Sequence, residues 1–67
     1  MDRLKSMQLM QALTPFTQSG ILPPQKATLI ASEAISGNYK TLREFIDNPD
    51  MPMAYQGIIN NILRIIQ

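Results

Sequence analysis

The chain has 67 residues, 45% of them hydrophobic and 16% charged, with no Cys, no His and a formal net charge of +1. At that length a single domain spanning 1–67 is expected, with a core worth only about 3–5 kcal/mol unless something reinforces it. Without Cys or His, disulfides and the nitrogen and sulfur ligands of a zinc site are excluded, and oligomerisation is the reinforcement that remains.

A charge of +1 sets up no long-range field toward phosphate backbones or anionic lipids. No run approaches about 18 consecutive apolar residues, so no membrane span is expected. Behind Arg3, the residues Lys5, Ser6, Gln8 and Gln11 interrupt any signal-peptide core. The lack of Cys suits a reducing compartment, and the expected location is the cytoplasm.

Spacings of three and four recur along the chain, and period-two alternation is not sustained. An all-α helical bundle of about four short helices is therefore expected. The first segment, roughly Asp2 to Leu13, carries Leu4, Met7, Leu9, Met10 and Leu13. Leu9, Leu13 and Met10 share one side of the helix, while Leu4 and Met7 drift off it. Pro15 disfavours helix at Thr14, so the helix is expected to stop there or to restart with Thr14 as a cap. Phe16 then packs from the connection, and Ser19-Gly20 turns the chain.

Pro23 and Pro24 suit the first turn of a second helix. Ala27, Ile30, Ala31, Ala34 and Ile35 form its stripe, within about 140° on an ideal helix. Gly37 is the expected C-terminal stop, in the left-handed conformation. Asn38 can cap a short third helix whose apolar edge is Leu42, Phe45 and Ile46. Asn48-Pro49 ends it. The last helix starts near Pro52, and Tyr55, Ile58, Ile59, Ile62, Leu63, Ile65 and Ile66 cover about 160° of it. Arg64 is its only charge.

Enzyme chemistry finds little to work with. General acid–base and nucleophilic mechanisms draw on His, a perturbed carboxylate, or an activated Ser, Cys or Lys. Asp47 and Asp50 lie close together, but no Gly or distal Glu follows at calcium-loop spacing, so they read as turn and cap residues. There is no glycine-rich phosphate loop. No catalytic residue, cofactor, metal or small-molecule substrate is expected.

The window from Thr28 to Asp47 resembles a helix-turn-helix. Ala31, Ser32 and Ile35 supply the inward positions of a first helix, Ser36-Gly37-Asn38 the turn, and Leu42 and Phe45 the anchors of a second. The resemblance implies a DNA-binding regulator with Lys40, Thr41 and Arg43 as contact residues. Glu33 departs from the pattern, because a small residue is expected four positions before the glycine. Glu44 on the presented face would repel phosphates, and the remaining cations are scattered. Over a short stretch, Asn48-Pro49-Asp50-Met51-Pro52 with Ala54-Tyr55-Gln56 looks like the turn of type III secretion needle subunits. The helix after it is much too short, and no function follows.

Methionine adapts readily to a binding surface, and Met51 and Met53 flank Pro52 in a turn where full burial is hard. On the last helix, Ile59, Ile62 and Ile66 lie at the centre of the apolar arc, and Ile58 and Ile65 at one edge. That arc is generous for so small a chain, and its surplus is what a homo-oligomer or partner protein would cover. The expected function is a small helical protein–protein interaction module (regulator, adaptor or assembly subunit) with Met51, Met53, Ile58 and Ile65 at its interface. The alternative is a small helix-turn-helix transcriptional regulator.

Overall fold

Asp2 begins the first helix: its carboxylate accepts the Lys5 N–H at 2.9 Å and so occupies a donor the helix cannot satisfy internally. In a computed structural model that describes residues 2–67, this helix, α1, spans Arg3–Gln18. It does not stop or restart at Thr14 but runs through Pro15, contrary to the expectation from the sequence. The reason is tertiary. Leu9, Leu13 and Phe16 fall at positions i, i+4 and i+7, and all three are fully buried. The Phe16 ring meets Phe45 edge-on at 5.0 Å and Tyr55 at 4.9 Å. Burying such a side chain is worth about 1.5–3 kcal/mol, the same order as an interior proline costs. Keeping helical register is what delivers Phe16 to that site, so it packs from the helix and not from the connection.

Both of the first two helices end in the same way. Gly20 has φ +81° and Gly37 φ +78°. The Ile21 N–H donates to the Phe16 carbonyl at 3.0 Å and the Gly20 N–H to Thr17 at 3.2 Å. One helix later, Asn38 donates to Glu33 and Gly37 to Ala34, each at 3.0 Å. These are paired six-to-one and five-to-two closures in which a left-handed glycine lets the chain turn back on the last carbonyls. After the first closure, Leu22 buries its side chain completely, although it lies outside any helix.

The second helix, α2 (Pro24–Ile35), buries Ala27, Ile30, Ala31 and Ala34 and leaves Ile35 half-buried. It runs antiparallel to α1, and two hydrogen bonds tie its end to the start of α1. The Asp2 N–H donates to the Ile35 carbonyl at 3.2 Å. The Ser6 hydroxyl, itself buried, donates to the Ala31 carbonyl at 2.8 Å. The alanines leave room for this close approach.

The third helix, α3 (Lys40–Ile46), is preceded by Asn38, whose side chain accepts the Lys40 N–H at 3.0 Å. Leu42 is its fully buried anchor. Asn48 closes the next turn by accepting the Asp50 N–H at 3.0 Å. A 3-10 turn, Met53–Tyr55, leads into α4 (Gln56–Ile66). As the wheel predicts, Ile59, Ile62 and Ile66 are buried, while Tyr55, Ile58, Leu63 and Ile65 flank them half-buried. The resulting bundle has a radius of gyration of 10.9 Å, close to the about 11 Å of a compactly packed chain of this length. Among the described residues there is no strand, and no helix is long and apolar enough to cross a membrane.

Candidate protein-interaction site

The outward side of α1 follows from its inward side. With Leu9, Leu13 and Phe16 buried, Leu4, Met7, Gln11, Thr14 and Gln18 fall on the opposite side at alternating spacings of three and four, and all are exposed. Leu4 is 65% and Met7 61% exposed, with Met10 beside them at 43%. The Thr14 hydroxyl donates back to the Met10 carbonyl at 3.1 Å, so its donor is spent within the helix. No charged residue occurs between Lys5 and Lys26. The stripe is thus uncharged from Leu4 to the end of the helix, with Arg3 exposed just before it.

A cleft of about 430 Å³ lies between the segment that joins α1 to α2 and the region of α3. It is lined by Ile21, Leu22, Pro23 and Lys26 together with Thr41, Glu44, Phe45 and the Asp47–Pro49 turn. Among the described residues Lys5–Asp2, at 3.9 Å, is the only ion pair, so Lys26, Glu44, Asp47 and Arg3 form none. The cleft therefore carries two carboxylates against one ammonium. No cluster of potential metal-ligating side chains occurs among the described residues.

The interface residues expected from the sequence do not form one exposed patch. Met53 is 91% exposed, whereas Met51, Ile58 and Ile65 are half-buried against the core. No isoleucine is among the large exposed side chains, which are Leu4, Met7, Met10, Leu29 and Met53. The apolar flank of the last helix is half-buried, and the large exposed side chains lie mainly on α1. Their signal in the sequence was the departure of Leu4 and Met7 from the inward side.

Of the residues in the helix-turn-helix reading, Lys40 and Arg43 are exposed. Thr41 is half-buried and lines the cleft beside Glu44. At about 100° per residue Thr41 lies about 160° around α3 from Arg43, so the three share no face. Glu33 is half-buried, with Oε1 out of solvent and without a hydrogen-bond partner. Comparison with protein-family models, with curated proteins and with solved structures finds no match for this chain.

Proposed function

We propose that the chain is a small protein–protein interaction module that works by packing a helix face against itself or a partner protein, as a regulator, adaptor or assembly subunit. The observation that carries this reading is the outer face of α1, with Leu4 and Met7 about two-thirds exposed on an uncharged stripe. Apolar surface of this kind recovers about 25 cal/mol per Å² when covered. The three-and-four spacing is what one helix offers another. A cytoplasmic setting fits the Cys-free composition.

A DNA-binding regulator is the second reading, favoured by the exposure of Lys40 and Arg43 on a helix that follows a glycine-closed turn. One pair of experiments separates the two. Sedimentation from about 10 µM to about 1 mM should show association that weakens when Leu4 and Met7 are both changed to Gln. Retention on a nucleic-acid column that fades with salt and is lost in Lys40→Ala or Arg43→Ala would replace the first reading with the second.

A further inference from the structure

We propose that Met7 and Met10 form a sulfoxidation site, at which hydrogen peroxide turns the outer face of α1 polar while the bundle stays folded. That this modification regulates binding rests on the reading of that face as a contact surface; the site itself does not.

The placement of sulfur carries the proposal. The chain has five methionines and no Cys, His or Trp, so thioethers are its main oxidisable groups. Methionine readily fills gaps in a core, yet the buried apolar side chains here are Leu, Ile, Phe and Ala, with no methionine among them. Three of the five large exposed apolar side chains are methionines, namely Met7, Met10 and Met53. Met51 is half-buried against the core, and Met1 lies outside the described residues. Met7 and Met10, three positions apart on α1, are neighbours on its surface, whereas Met53 belongs to the turn before α4. Oxidant therefore reaches the outer face of α1 without any opening of the bundle. The core behind that face, Leu9, Leu13 and Phe16, holds no group that a peroxide attacks.

The step needs no other reactant. A lone pair of the thioether sulfur attacks one peroxide oxygen, an S–O bond forms and the O–O bond breaks. The departing hydroxide takes the proton left on the transferred oxygen and leaves as water. Sulfur loses two electrons and the peroxide gains them. The product is a polar, chiral sulfoxide in place of an apolar thioether. Of the three large apolar side chains exposed on α1, only Leu4 escapes this change. Gln8, Gln11 and Thr14 beside them are exposed too, so the new S=O groups are solvated where they form. What is lost is apolar surface available to a partner, and the packing of the bundle is untouched.

The test is hydrogen peroxide on the whole chain, followed by mass mapping of each methionine, thermal melting, and retention on a hydrophobic-interaction column. Met7, Met10 and Met53 should oxidise within about three-fold of the rate of a free methionine derivative, and Met51 at least about five-fold more slowly. The oxidised chain should melt cooperatively within about 3 °C of the reduced one and elute earlier from the column. Met7→Leu with Met10→Leu keeps the apolar area and removes the sulfur, so most of that shift should vanish. Met51→Leu with Met53→Leu, the complementary pair, should keep most of it. Met7 and Met10 reacting no faster than Met51, a cooperative melt that disappears on oxidation, or a shift that persists in Met7→Leu with Met10→Leu would overturn the site. Association in sedimentation that survives the two sulfoxides would instead remove the contact from α1 while the site stood.

Discussion

Gly37 allows the backbone of the fold to be tested apart from its packing. Its φ is +78°, and a Cβ built there would meet no heavy atom within 4 Å. Any cost of a side chain at this position is therefore conformational. An L-residue in the left-handed region costs about 1–2 kcal/mol, and the lower entropy of the unfolded chain returns about 0.4–1 kcal/mol. Gly37→Ala should then destabilise by about 0.5–1 kcal/mol. Gly37→Val should cost more than about 1 kcal/mol, because β-branching fits that region worse. Gly37→Asn should be close to neutral.

Gly57 is the internal control. Its site is equally open, but its backbone is helical with no positive φ. Gly57→Ala should therefore stabilise by about 0.5–1 kcal/mol. The assay is urea denaturation followed by circular dichroism, with melting as a cross-check at about 4–8 °C per kcal/mol for a domain of this size. Opposite signs for Gly37→Ala and Gly57→Ala are the expected result. A neutral Gly37→Val, or a Gly37→Ala that stabilises as Gly57→Ala does, would mean that α2 does not end in a left-handed glycine.

Other expectations concern the interior. Ile62→Ala removes methylenes from a fully buried site and should cost about 2–5 kcal/mol in the same denaturation assay, much of the stability of so small a domain. Met53→Gln, at a 91% exposed position, should stay within about 0.5 kcal/mol of wild type. Pro15→Ala restores an N–H to a continuous helix and should raise stability by about 1–2 kcal/mol; a loss instead would show that the ring is needed where it packs. Ser6→Ala deletes the buried bond to the Ala31 carbonyl and should cost about 1 kcal/mol, read from the same urea curves.

What could be read in advance was local. The apolar arc of α4 has a single periodicity and no competing signal, and its centre line of Ile59, Ile62 and Ile66 is the buried one. The stop at Gly37 follows from a residue that enters the left-handed conformation at little cost, standing just past a helical apolar stripe. The end of α1 is not legible locally, because the rule about Pro15 competes with the burial of Phe16 against Phe45 and Tyr55, residues far along the chain. Leu22 carries no such signal, because it stands between turn residues, where no periodicity marks a core position. Ser6 gave no sign of its role, since its acceptor lies 25 residues away. The cleft likewise joins Ile21–Pro23 to Thr41–Pro49, a juxtaposition that only the packing creates. The outer face of α1 was half legible: Leu4 and Met7 were seen to leave the inward side, but the uncharged stripe they begin appears only once α1 is known to extend to Gln18.

The claim that the exposed side of α1 is a contact surface, with no part in the core, is tested most directly by one comparison. Sedimentation equilibrium and thermal melting are measured on the wild-type chain and on a Leu4→Gln, Met7→Gln double variant. Both positions are more than 60% exposed, so at matched low concentration the melting temperature should hold while association weakens at least ten-fold. Unchanged association, or a fold that collapses with the two substitutions, would contradict the account.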